Sequence, residues 1–481
     1  MRSVGIILFV LCLISCAPKK EVAPPQPFGP VPSASQRAWH AMETNAFLHF
    51  TTNTFTGKEW GYGDESPSIF NPSQFNADQW ITTLKDAGFK TAILTCKHHD
   101  GFCLWPSQYT EHSVKHSPFE GGHGDVVKAV SEACKKHGLK FGIYLSPWDR
   151  NRADYGTPAY VDYYRNQLKE LFTAYGPVVE MWFDGANGGD GYYGGKREMR
   201  KIKGSTYYDW PTTLDMVRKM EPNILFFSDA GPGVRWVGNE KGLAGETNWN
   251  TISTDTLFAG KPGIEKLLNE GDPEGDHWVP AEVDVSIRPG WFYHAEEDSL
   301  VKTPEQLFEI YLTSVGRGST LLLNVPPDRR GLFHENDIKA LQGWRALLDS
   351  TFKTNLILHA PAEAEDYRGH SDQYAAANTT DGNPETYWAT DDDKTTGTFE
   401  VTLDKTKEIK FILLQEYIKL GQRVKSFTVE SFHDGAWHPL AGGTTIGYKR
   451  ILKIDPAQAE KIRVNITAAR ACPLISNIAL Y

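Results

Sequence analysis

Between residues 40 and 350 the chain alternates short apolar runs with longer amphipathic ones, and this alternation limits the possible folds more than any other feature. Short runs of apolar residues read as buried strands, and apolar residues three and four apart read as one face of a helix. The candidate strands are 46–50, 91–96, 141–146, 178–184, 224–229, 283–287 and 320–325. Candidate helices lie between them: 77–87 after an Asn76 cap, with Trp80, Leu84 and Ala87 on one face; 126–137 after Asp125; and 160–175, carrying Leu168, Leu171 and Phe172. Strands that alternate with helices make a parallel sheet. Seven or eight such units in about 300 residues fit a (β/α)8 TIM-like barrel better than an open sheet. No GxGxxG or GxxxxGK[ST] motif opens a helix, so a nucleotide-binding reading has no support.

The pattern changes near residue 350. Residues 353–481 lose helical periodicity and show short alternating strands at 397–403, 408–416, 426–432, 450–454 and 461–467, which predicts a β-sandwich. The expected fold class is therefore α/β: a barrel over 37–352 followed by a C-terminal β-sandwich. At the other end, residues 1–16 have Arg2, an apolar core at 4–14 and a Leu13-Ile14-Ser15-Cys16 ending. They read as a processing segment too short to span a bilayer. Residues 17–36, with Pro24, Pro25, Pro27, Pro30 and Pro32, read as a Pro-rich tether. Beyond the leader the cysteines are Cys96, Cys103, Cys134 and Cys472, with no zinc spacing. Cys96 and Cys103 either pair or remain buried thiols. The formal net charge is −10 with no basic run, which argues against a nucleic-acid partner. Aromatic residues make up 12% of the chain, which suits either stacking on sugar rings or an aromatic core.

Most candidate strands end in polar or aromatic residues: His49; Lys97-His98-His99-Asp100; Tyr144 with Trp148; Asp184; Asp229; Asp284 with Arg288 and Trp291. In a parallel barrel such ends converge on one mouth. The run Val178-Val179-Glu180-Met181-Trp182-Phe183-Asp184-Gly185-Ala186 delivers one carboxylate to a glycine turn. Alone it is also an ordinary Asp-Gly turn, but at a shared mouth Asp184 becomes a candidate catalytic acid. The loop 227–240, following a strand, carries Asp229 and Glu240, with Glu246 just beyond. Two carboxyls over one mouth could flank a glycosidic bond, one as nucleophile and one as proton donor. Glu240, Glu246 and Glu282 all compete for the second role. Adjacent His98 and His99 on a strand would point to opposite faces and chelate a metal poorly, so bonds to sugar hydroxyls are favoured.

The segments His98-His99-Asp100-Gly101-Phe102, Trp182-Phe183-Asp184-Gly185 and Leu321-Leu322-Leu323-Asn324-Val325 with Pro326-Pro327-Asp328 and Gly331 resemble those of glycoside hydrolase family 29, the retaining α-L-fucosidases. The likeness runs in order over roughly residues 40–350. Arg235-Trp236-Val237-Gly238-Asn239-Glu240 and 282–291 resemble the branch selective for α-1,3/1,4 linkages. This resemblance implies double displacement on terminal fucose of fucosylated glycans, with no metal and no organic cofactor. Asp184 falls at the nucleophile position and Glu240 at the acid/base position, with Glu246 as the alternative. His49, His98, His99, Tyr144 and Trp182 fall at positions lining the sugar pocket, and Trp291 at the wall against the sugar's methyl group. Residues 381–390, 421–427 and 475–481 are similar to the discoidin, or coagulation factor 5/8 type C, fold, whose role here is either sugar binding or support of the barrel. The ending at Cys16 resembles a bacterial lipobox, which implies lipidation of Cys16 and an exported lipoprotein of the cell envelope (periplasm or outer membrane); a plain secretory signal is the rival. Two other functions stay open at this level: a non-catalytic glycan-binding lipoprotein, and a retaining glycosidase for another sugar.

Overall fold

The computed structural model describes residues 22–481. The segment 1–16 expected to be a signal and residues 17–21 of the expected tether lie outside the described residues. Among those described, eight parallel strands close into a barrel: β1 (Thr44–Leu48), β2 (Thr91–Lys97), β3 (Lys140–Leu145), β4 (Glu180–Trp182), β5 (Leu225–Ser228), β6 (Val234–Trp236), β7 (Ala281–Ser286) and β8 (Thr320–Asn324). Each pairs with its neighbours in sequence, and β8 returns to β1 with Thr44 opposite Leu321. Helices α1 (Ala77–Asp86), α2 (Val126–His137), α3 (Pro158–Ala174), α4 (Trp210–Met220), α5 (Glu265–Glu270), α6 (Pro304–Thr313) and α7 (Glu335–Phe352) follow every strand except β5. The local chemistry is as expected: Asn76 and Asp125 accept from the backbone N–H three residues on and cap α1 and α2, and Pro158 opens α3.

Seven of the eight strands coincide with the apolar runs. The eighth, β6, lies inside the stretch expected to be a single loop. Parallel neighbours ordinarily need a crossover of a dozen or more residues, whereas β5 and β6 are joined by residues 229–233 alone. The chain drops straight back along β5, so that Gly233 N donates to Phe226 O at 3.1 Å before β6 rises beside Phe227. A Cβ at Gly233 would come within 2.8 Å of Phe226 N, so only glycine permits this reversal.

Strand alternation sorts the side chains. Met181 and Phe183 of the β4 segment face outward into the large core between strands and helices. Phe47, Ile93, Tyr144, Trp182, Leu225, Phe227, Val234 and Leu322 point inward and fill the barrel together with Trp39 from below. Trp39 belongs to a short helix, Ala34–His40, whose Gln36 Nε2 donates to Gly233 O and Trp278 O at 2.9 and 2.6 Å.

The C-terminal region is an antiparallel sheet built on β9 (Gly397–Glu416), β10 (Val424–His433), β11 (Ala436–Gly443), β12 (Arg450–Ala469) and β13 (Leu474–Leu480). The pairs of short strands expected at 397–416 and 450–467 are each one continuous strand. Pairing of β9 with β12 shifts register after Thr402 and again after Ile409. Inward positions accordingly change from Phe399, Val401 and Leu403 to Ile412 and Leu414, and both halves face one core.

This region is fixed to the barrel rather than loosely linked. Gln422 Oε1 accepts from Asn250 N and Nδ2 at 2.8 and 3.0 Å, and its Nε2 donates to Asn248 O at 2.9 Å. Lys449 pairs with Glu43, and Ile451 N donates to Gly316 O. Glu43 and Gly316 precede β1 and β8, so the C-terminal region meets the barrel on the side where strands begin, opposite the mouth. The expected tether is corrected in its described part. Residues 22–28 lie along the C-terminal region, with Tyr374 Oη bonded to Val22 O, Arg368 Nε to Ala23 O, Arg423 Nη2 to Gln26 O and Phe28 N to Leu420 O. The four cysteines at 96, 103, 134 and 472 are buried and unpaired, which removes a Cys96–Cys103 bridge.

Candidate active site

At the ends of the strands a cavity of about 240 Å³ opens, lined by residues including His49, His98, His99, Tyr144, Trp182, Asp184, Glu240 and Trp291. All the sugar-site residues expected from the sequence except Glu246 are therefore in one place. β4 explains the centre. Its period of two aims Glu180, Trp182 and Asp184 along the barrel axis, with Asp184 nearest the mouth. Asp184 Oδ1 accepts from Ala186 N at 2.7 Å, and Oδ2 accepts from Tyr144 Oη at 2.9 Å. Its side chain keeps 24% exposure toward the cavity. Burial raises its pKa, and the Ala186 and Tyr144 donors oppose that by stabilising the carboxylate.

The histidines behave differently from two residues of a strand. β2 ends at Lys97, so His98 and His99 lie in the turn beyond it, with ring centroids 4.1 Å apart and both on the cavity wall. Burial pushes His49 and His99 down to about 3 and His98 well below its usual value, so all three rings are neutral. Their tautomers follow from their partners. The Ser146 hydroxyl donates to Trp148 O at 2.7 Å, so it accepts from Nδ1–H of His99 at 2.7 Å. Nε2 of His99 is then a bare acceptor 3.7 Å from Asp184 Oδ2. Likewise, Asn324 donates through Nδ2 to Ser286 Oγ and Trp291 O, and its Oδ1 accepts from Nδ1–H of His49 at 2.8 Å. The floor thus presents acceptors that need hydroxyl donors, while Phe47, Trp182, Trp236 and Trp291 supply an apolar wall.

The second carboxyl comes from the loop that follows β6. Glu240 stands at the rim, where its Oε2 accepts from Trp291 Nε1 at 3.3 Å. Burial raises its pKa first, with the charges of Asp184 and Glu59 adding to the rise and the Trp291 N–H opposing it. Glu246 is outside the cavity. Its side chain is 78% exposed and lies 3.4 Å from Arg317, while its carbonyl accepts from Arg450 of the C-terminal region. Glu282, the third competitor, points into the barrel below the cavity and accepts from Trp182 Nε1 at 3.0 Å.

Several lining residues are additional to those singled out as pocket residues from the sequence: Phe47, Trp60, Asp229, Trp236 and Asp284. Two carried a signal, because Asp229 and Asp284 stood at strand ends. Asp229 packs directly behind the Asp184–Gly185 turn. A Cβ at Gly185 would lie 2.0 Å from Asp229 Oδ2, so glycine is required there, and Gly260 N donates to the same oxygen at 2.6 Å. Burial, with Asp184 adding, lifts Asp229 to about 6. Asp284 accepts from Trp236 Nε1 at 2.8 Å, and burial holds it well above the usual carboxylate range. Among the described residues no group of three or more His, Cys, Asp or Glu is arranged to hold a metal ion.

Comparison with known proteins gives the same assignment along almost the whole chain. The α-L-fucosidase family profile matches residues 28–349, and the F5/8 type C domain profile matches 361–478. Alpha-L-fucosidase 1 of Arabidopsis thaliana is 41% identical over 464 residues, 95% of this chain and 88% of that protein. A glycoside hydrolase 29 family member from an unknown rumen bacterium superposes with a TM-score of 0.85 at 42% identity, over 95% of this chain and 78% of the other. A Ruminococcus gnavus GH29 fucosidase solved in complex with fucose gives 0.86 at 34% identity, over 96% of each. The chain belongs to glycoside hydrolase family 29, the α-L-fucosidases.

Proposed function

We propose that this α-L-fucosidase works by retaining double displacement, with Asp184 as nucleophile and Glu240 as acid/base. The observation that carries the proposal is the unlike setting of the two carboxyls around one cavity. Asp184 sits at the base and receives two donors, which favour the charged form a nucleophile needs. Glu240 stands at the rim, where burial and nearby negative charge favour the protonated form an acid needs. In the first step Asp184 attacks the anomeric carbon while Glu240 gives its proton to the departing oxygen. In the second, Glu240 takes a proton from water, which displaces Asp184. Asp284 and Asp229, both favouring the neutral acid, suit donation to substrate better than attack.

The lining supports a deoxy sugar. The C6 methyl of fucose gains by burial against Trp291 and Phe47, whereas a C6 hydroxyl there would lose its water without a partner. Nε2 of His99 and of His49 are placed to accept from ring hydroxyls. The likeness of 235–240 and 282–291 to one branch of the family favours α-1,3/1,4 linkages. Release of fucose from Lewis-type trisaccharides but not from 2′-fucosyllactose is the expected result. Hydrolysis of 2′-fucosyllactose alone would overturn the linkage, and no fucose from either would overturn the substrate.

Export as a lipoprotein is proposed from the sequence ending at Cys16. Only residues 17–21 separate Cys16 from the docked segment at Val22. Such a length spans roughly 20 Å at most, so a lipid there would keep the C-terminal region near the bilayer with the barrel mouth facing away. Cells fed labelled palmitate should label the wild-type chain and not Cys16→Ala. Equal labelling of neither, with the protein released to the medium, would support the plain secretory signal instead.

The acid/base assignment has a pH consequence. The Trp291 N–H stabilises ionised Glu240, so Trp291→Phe raises the pKa of Glu240, and the acid stays protonated to higher pH. The alkaline limb of kcat/KM should move upward. A limb that moves downward or not at all would separate Trp291 from Glu240.

A further inference from the structure

Two fully buried acids of the barrel lie below the cavity. Glu180 of β4 and Glu282 of β7 are both fully buried, and the charge of Glu180 acts on Glu282. Trp39 Nε1 donates to Glu180 Oε2 at 3.1 Å, and Trp182 Nε1 donates to Glu282 Oε1 at 3.0 Å. Glu180 Oε1 and Glu282 Oε2 remain without a donor of their own. Two carboxyl oxygens bond to one another only if a proton lies between them, since ionised carboxylates accept and do not donate. The other oxygen of each residue already receives an indole N–H, which leaves one place for one proton.

The surroundings do not compensate a second negative charge. From the short helix below, His40 lies beside Trp39, held neutral by burial at about 3. Along β7 the next inward group is Asp284, itself an acid, and along β4 it is Asp184. From β8, Thr320 lies opposite Glu282 and brings only a hydroxyl. Among the described residues no lysine or arginine forms an ion pair with either glutamate, and none is among the main influences on their titration.

We propose that Glu180 and Glu282 form an acid–carboxylate pair sharing one proton, and that this pair is a positioning device that fixes Trp182, the wall of the sugar pocket, from below. Trp39, Glu180, Glu282 and Trp182 then make one continuous hydrogen-bonded file from the barrel floor to the cavity. Trp182 is stacked on Phe227 at 3.9 Å and 6° between planes, and it stands two residues before Asp184. Its edge is thus held by the pair and its face by Phe227. Neither glutamate touches the sugar, and neither takes part in the chemical steps.

The shared proton ties the pair to pH. Burial lifts Glu180 to about 7 and Glu282 well above the usual carboxylate range, with repulsion from Glu180 adding to the second rise. The native pair keeps a proton that the unfolded chain releases near the ordinary glutamate value. Stability therefore falls as pH rises from that value into the pair's own range.

Glu282→Gln tests this, because its amide oxygen can accept from Trp182 while its N–H₂ donates to Glu180 whatever the pH. The melting temperature of Glu282→Gln relative to wild type should rise steadily from about pH 5 to about pH 8. Activity rests on the function proposed above and is read separately, on an aryl α-L-fucoside. Glu282→Ala should lose about tenfold or more in kcat/KM, through a Trp182 that is no longer held, and Glu282→Gln should recover most of it. A flat difference in melting temperature across this range would overturn the shared proton, with or without activity. Equal damage by Gln and Ala would overturn the positioning role. If the alanine variant does not fold, the pH dependence of the glutamine variant decides the shared proton, and kcat/KM of the similarly sized Glu282→Met decides positioning, since a methionine cannot accept from Trp182 Nε1 as Glu282 does; impaired kcat/KM is expected and wild-type activity would refute the role.

Discussion

Closing eight strands into a barrel leaves an interior only wide enough for side chains, and the two-residue period of each strand decides which side chains enter it. The active site is an outcome of that constraint. β4 sends Glu180, Trp182 and Asp184 inward at three depths, and β7 sends Glu282, Asp284 and Ser286 inward beside them. A carboxyl at the mouth is half in water and can be charged. The same group four residues deeper, roughly 13 Å along a strand, is in the dry interior and must find a donor or keep a proton. Asp184 and Glu180 are both carboxylic acids four residues apart on one strand, and depth sets the carboxyl at the mouth apart from the one in the interior.

The rim is built differently. Glu240 is placed by a loop, and the stretch that follows that loop, 246–250, is bonded to Gln422, Thr445 and Arg450 of the C-terminal region. Support of the barrel is thus a visible role for that region. The carboxyl with the more exposed position gains its fixity from a second domain and from Trp291, while the buried one gains it from the strand itself.

Most of the barrel was legible because its strands are long apolar runs between amphipathic helices, a pattern set by burial on both faces of a parallel sheet. β6 was not legible: Val234-Arg235-Trp236 is only three residues long, and the Gly231-Pro232-Gly233 before it reads as a turn. His98 and His99 were read as opposite faces of a strand, whereas the strand stops one residue earlier and a turn brings both rings to the same wall. Glu246 and Glu240 could not be told apart by spacing, because the interface with the C-terminal region that removes Glu246 forms over almost 200 residues of separation. Trp60 lies in the loop beyond β1, away from any strand end, and nothing local marked it. Asp184 was legible as a strand-end acid from its place after an apolar run and from its motif, and it does line the cavity.

The central claim is that Asp184 makes the covalent bond to the sugar, and Asp184→Gly with added azide tests it most directly. Turnover of an aryl α-L-fucoside should vanish in this variant. Azide, entering the space left by the carboxylate, should restore it with β-L-fucosyl azide as product. Turnover that survives the substitution, or a rescue seen only in Glu240→Ala with the same β-azide, would contradict the account and move the nucleophile elsewhere.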